Sequence, residues 1–136
     1  MPCDFLAWEH FNWECATFDR GVHGEVGLAT SDPLHVGGKD VSMLMISAPG
    51  GRTRRVSWEL PAAETVVLDV AVPDEARGGG TLTVRVDGEE RVALTLPTRP
   101  DGAIATHRVA GSSEPFELEL AFEARGSTVL VDAHLE

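Results

Sequence analysis

From Val26 onward, apolar and polar positions alternate with a period of two, the repeat of a strand with one buried face. In residues 54–60, Val56, Trp58 and Leu60 share one face, and Arg55, Ser57 and Glu59 the other. Val66, Leu68, Val70 and Val72 alternate with Thr65, Val67, Asp69 and Ala71. Leu82, Val84 and Val86 form a third run, and Val92, Leu94 and Leu96 a fourth. A weaker strand is expected over 103–109. Phe116, Leu118, Leu120 and Phe122 alternate cleanly with Glu117, Glu119, Ala121 and Glu123. Val129, Val131, Ala133 and Leu135 close the series. The runs are separated by Pro- and Gly-rich clusters, such as Pro73–Gly80 and Pro97–Gly102, which read as turns and loops.

Parity predicts how two pairs of strands should meet. Residues that face each other across a hairpin point to the same side. Val84 should then oppose Val92, and Leu82 should oppose Leu94. That places the turn centre on Gly88 and calls for an odd loop, Asp87-Gly88-Glu89 or a five-residue extension, rather than a two-residue Asp-Gly turn. By the same logic Phe122 should face Val129 in a last hairpin around Ala124-Arg125-Gly126-Ser127.

Eight or nine strands with turn signals every 8–12 residues, and no helical period after residue 20, predict an all-β fold: one antiparallel β-sandwich of jelly-roll type. The expected core is Val56, Trp58, Leu60, Leu68, Val70, Leu82, Val84, Val92, Leu94, Phe116, Leu118, Leu120, Val129 and Val131. Residues 41–47 are apolar on both faces, which predicts a central strand covered on each side. Residues 1–136 are expected to form one domain, with the segment 1–20 packed on it as one of those covers.

That N-terminal segment departs from the rest. Five of the eight Phe and Trp residues (Phe5, Trp8, Phe11, Trp13 and Phe18) fall in the first eighteen positions. One reading is that they plug an end of the core, as large aromatics usually do. The other is that they line a ligand site, because flat rings stack on the apolar faces of sugars while neighbouring polar groups bond to hydroxyls. Trp8, His10, Asn12 and Trp13 supply both kinds of group, and Arg52 is a further candidate contact.

Charge narrows the partners. The chain has 11 Lys+Arg against 22 Asp+Glu, a formal charge of −11, so nucleic acid and anionic membranes are not expected partners. With 43% apolar residues, disorder is not expected either. Ten of the 11 basic residues are Arg, a bias of GC-rich bacterial genomes rather than a binding signature. Arg52, Arg54 and Arg55 form the one local basic cluster, expected to neutralise Glu117, Glu119 and Glu123 on a solvated face. The start has no basic, apolar and small-residue sequence of a secretory signal. As a full-length chain it reads as cytoplasmic, and as an excised module as extracellular. Cys3 and Cys15 read as free thiols in the first case, with a bridge closing the N-terminal segment as the alternative.

Three stretches resemble a known family. Residues 26–47 look like the strand, turn, His-Ser-Gly-Lys loop and apolar strand near the start of galactose-binding-like jelly rolls, with His35-Val36-Gly37-Gly38-Lys39 in the loop's place. Phe18-Asp19-Arg20-Gly21 resembles their early Phe-Glu/Asp-x-Gly, and residues 129–136 resemble their closing strand. Many carbohydrate-binding modules share that architecture. The resemblance implies a structural calcium, whose matching positions here are Asp19, Asp40 and Asp132, hard oxygen donors suited to that ion. The second Asp of the family's closing Asp-Asp is Ala133 in this chain.

Catalytic motifs are sparse. The five His residues match no zinc spacing, although Cys3, His10, Cys15 and His23 could gather around a soft metal. No nucleophile elbow, Walker loop or dinucleotide fingerprint occurs. The expectation is a non-catalytic module that binds a carbohydrate or similar small ligand. The alternatives are a small enzyme acting on a hydrophobic metabolite, with His10 as acid/base oriented by Glu9 or Glu14, and an interaction domain.

Overall fold

The alternation becomes strands. The computed structural model describes residues 17–18, 26–28, 34–48 and 53–136, and among them there is no helix. Twelve strands run in order: β1 (Thr17–Phe18), β2 (Val26–Leu28), β3 (His35–Val36), β4 (Lys39–Asp40), β5 (Leu44–Ala48), β6 (Thr53–Leu60), β7 (Ala63–Ala71), β8 (Thr81–Val86), β9 (Glu89–Thr95), β10 (Ala105–Ser112), β11 (Phe116–Glu123) and β12 (Ser127–Leu135). Among the described residues eight of them, β5 to β12, have five or more residues, in keeping with the eight or nine expected, and four are short pieces of two or three residues. Residues 41–43, read as the start of a strand, precede β5 as irregular chain.

Two five-stranded antiparallel sheets pack face to face as a sandwich. One has the order β1-β6-β11-β8-β9, the other β10-β7-β12-β5-β2, and β3 and β4 form a separate two-stranded ribbon. Every predicted core residue lies between the large sheets. Twelve are buried, and Val92 and Leu94 are partly buried against them. Phe122, Leu118, Leu120, Leu68 and Leu82 are fully buried, each worth roughly 1.5–3 kcal/mol relative to exposure.

The parity argument has two outcomes. Leu82 does oppose Leu94, and Val84 opposes Val92. The turn, however, is the two-residue Asp87-Gly88, both in the left-handed region at φ 50° and 80°. A register shift after Val84 reconciles the two, because Arg85 then opposes Glu90 and Val86 opposes Glu89. One extra residue in β9 restores the parity that a two-residue turn would otherwise break. The last predicted hairpin does not form. β11 pairs with β6 and β8 in one sheet, while β12 pairs with β5 and β7 in the other. Phe122 and Val129 share a core across the inter-sheet gap, where in-strand parity carries no constraint.

The second sheet is apolar on part of its outer face as well. Leu130 opposes both Met45 and Ala71, forming a row across β12, β5 and β7. Val36 and Met43 bury against this row, with Leu34 and Val41 partly buried beside them. The two-faced character of residues 41–47 therefore has its cause in the β3–β4 segment. Of the proposed N-terminal cover, 1–20, only Thr17–Phe18 is described, as β1 beside β6 in the other sheet; the rest lies outside the described residues.

Candidate ligand-binding site

Trp8, His10, Asn12, Trp13, Arg52, Glu9, Glu14, Asp19, His23 and both cysteines lie outside the described residues. Of the expected metal ligands, Asp40 ends β4 and Asp132 sits in β12, on different sheets. The Asp40 carboxylate stands 2.9 Å from His35 Nε2. Asp132 faces Asp69 across the strands and accepts a hydrogen bond from Ala133 N at 3.0 Å. Among the described residues, no three His, Cys, Asp or Glu side chains gather as a metal site. The calcium expectation thus rests on the sequence resemblance.

The basic cluster divides. Arg55 reaches Glu119 at 3.8 Å, joined by Arg85 at 3.1 Å, a partly buried cross-strand arrangement that neutralises Glu119 as expected. Arg54 does not join that solvated face. It pairs in register with Phe122, which places it on the core side of β6, and it is buried.

His35 is the best-organised titratable group among the described residues. Gly37 and Gly38, at φ 60° and 78°, make the tight turn between β3 and β4. Their N–H groups donate to the two carboxylate oxygens of Asp74 at 3.0 and 2.7 Å. Asp74 N in turn donates to the His35 carbonyl at 2.7 Å, and His35 N to Glu75 Oε1 at 2.8 Å. The imidazole closes this clasp, with Nδ1 on Glu75 and Nε2 on Asp40. The hydrogen bond to Glu75, then the charges of Glu75 and Asp40, raise the His35 pKa above its ordinary value. The bond to His35 lowers that of Glu75. The ribbon tip also touches the loop after β9: a Cβ placed on Gly37 would lie 2.8 Å from the Gly102 carbonyl oxygen.

That loop roofs a cleft. β9 ends one sheet and β10 ends the other, and the two strands touch along the same side of the sandwich. Between these free edges lies a cavity of about 380 Å³, within the range typical of small-molecule sites. Val70, Val72 and Leu96 form its buried floor, and Ala93, Ala103 and Ala105 its walls. Thr95, Asp101, Ile104 and His107 also line it. Asp101 Oδ1 accepts from Ala103 N at 3.1 Å and holds the loop's bend. Backbone bonds from Gly79 N to the Pro97 carbonyl at 2.6 Å and from Leu96 N to the Gly80 carbonyl at 3.0 Å anchor the loop's start. Sequence reasoning missed this site, reading Pro97–Gly102 as a plain turn. No sequence signal marked it, because its lining comes from three separate stretches of chain.

No protein-family model matches the sequence, and no curated protein does. Solved structures do match. A family 35 carbohydrate-binding module from Paenibacillus barcinonensis has TM-score 0.59 at 13% identity, over 93% of this chain and 97% of that one. This chain has the same β-sandwich fold as that module. The C-terminal family 6 module of a marine laminarinase from Zobellia galactanivorans has TM-score 0.51 at 14% identity, over 92% and 97%. Tandem family 51 modules of a Streptococcus pneumoniae family 98 glycoside hydrolase have TM-score 0.59 at 13% identity, and the chain spans 93% of its own length and 45% of theirs. At these identities the likeness is one of fold.

Proposed function

We propose that the chain is a non-catalytic module that binds a carbohydrate or similar small ligand. The observation that supports this most is a match to carbohydrate-binding modules over nearly the whole of both chains, 93% and 97% for the family 35 module. A fold can host unrelated functions, so the reading also leans on the aromatic N-terminal segment. Trp8 and Trp13 would stack on sugar rings, and His10, Asn12 and Arg52 would bond to hydroxyls. A glycan array with wild type, Trp8→Ala and Trp13→Ala tests it. Binding to a defined glycan that either substitution abolishes is the expected result. Binding to no sugar, or binding indifferent to both substitutions, overturns it.

A further inference from the structure

The geometry points to a second recognition site: the cleft between the free edges of β9 and β10 takes a compact apolar molecule with a cationic head. Its floor and walls are aliphatic, and none of its lining residues is Trp or Phe. It therefore lacks the Trp and Phe rings on which the reading above depends, and it stands apart from that reading.

Three observations argue for an occupant. First, Ile104 at the rim is 48% exposed, the only large apolar side chain so exposed among the described residues. A ligand seated in the cleft would cover it. Second, the void is held open rather than collapsed. The loop above it is fixed by Asp101 to Ala103 N, by backbone bonds near Pro97, and by Gly102 against Gly37. A site already formed costs little ordering on binding. Third, the charge is one-sided. The lining contains the Asp101 carboxylate, with His107 as its other titratable side chain and no Lys or Arg, and the whole chain carries −11. A cation is attracted to such a rim and an anion repelled.

Three probes with one ring and different heads test this on the whole chain: phenethylamine, 2-phenylethanol and 3-phenylpropionate, titrated by two-dimensional NMR. Saturable shifts confined to 70–72, 93–97 and 101–107 are expected. The amine should bind about tenfold more tightly than the acid, the size of one charged contact at an open rim. Asp101→Asn keeps an oxygen for Ala103 N, so the loop survives while most of the amine's advantage disappears and the alcohol binds as before. Ala105→Trp, or Ala93→Phe should that variant not fold, fills the cleft and abolishes all three. No saturable shift, shifts elsewhere, or an amine preference undiminished by Asp101→Asn overturns the proposal. Trp8→Ala and Trp13→Ala should leave probe binding unchanged. Loss of glycan binding with probe binding intact, or the reverse, separates the fate of this site from that of the ring-stacking one.

Discussion

Gly37 and Gly38 offer a matched pair of perturbations. Both adopt positive φ, at 60° and 78°. An Ala at either position meets the left-handed strain of an L-residue, about 1–2 kcal/mol. Each recovers roughly 0.4–1 kcal/mol from a less free unfolded chain. The net loss from backbone alone is then about 1 kcal/mol, common to both. The surroundings differ. At Gly38 a new Cβ meets nothing within 4 Å, whereas at Gly37 it falls 2.8 Å from the Gly102 carbonyl oxygen. That oxygen belongs to backbone and cannot rotate away, so the ribbon or the 97–104 loop must shift. Overpacking of this kind costs about 1–3 kcal/mol. With a urea m-value of about 2 kcal/mol/M, Gly37→Ala should unfold roughly 1 M earlier than Gly38→Ala. Local opening of the ribbon could absorb the clash, so amide exchange at residues 36–39 is the companion measurement. Equal midpoints together with equal exchange would refute the claim that the ribbon tip bears on the cleft's roof.

His35 should titrate above its ordinary 6.5, because Glu75 and Asp40 both favour its charged form. The sign follows. Its contribution to the clasp is complete below about 6.5 and fades as pH rises through the raised folded value, while that of Glu75 is complete above its ordinary 4.5 and fades as pH falls through its lowered one. Exchange of the Gly37 and Gly38 amides should therefore be slowest, after correction for intrinsic rates, between those limits. Glu75→Gln should bring the His35 midpoint down in an NMR titration, and a wild-type midpoint at or below 6.5 would contradict the clasp. In the core, Phe122 is 0% exposed. Phe122→Ala should cost about 3–5 kcal/mol by chemical denaturation, and a loss under about 1 kcal/mol would mean that the two sheets do not pack as described.

Much of the sandwich was legible because a period of two is a local signal. Val56, Trp58 and Leu60 declare their face within one strand, whatever that strand pairs with. Pairing is not local, and there the reading failed in an instructive way. Phe122 and Val129 have matching parity and a four-residue connection, which is all that a hairpin shows in sequence. The chain instead crosses between sheets at Ala124–Gly126, and the core forms all the same because both faces turn inward. The odd loop expected around Gly88 failed in the opposite sense. The Asp-Gly turn signal that was set aside was right and so was the parity, but a bulge was needed to hold both, and a bulge leaves no mark on the alternation at Glu90-Arg91-Val92.

The cleft was illegible for a related reason. Its floor and walls come from three separate stretches of chain, near 70–72, 93–97 and 101–107, and none carries a motif. What makes it is topology. Among β5 to β12 only β8 and β9 form a hairpin within one sheet, and every other connection changes sheet. After β9 the chain must therefore cross the gap between layers, roughly 10 Å in a sandwich, and it does so at the side where β9 and β10 end their sheets among the described residues. Large side chains on those edges would close the gap. Ala93, Ala103 and Ala105 stand there instead, so the crossing leaves a space and does not fill it. On this argument the selectivity of the cleft is set by the three alanines and by Asp101. The strands beneath them fix only where the opening lies.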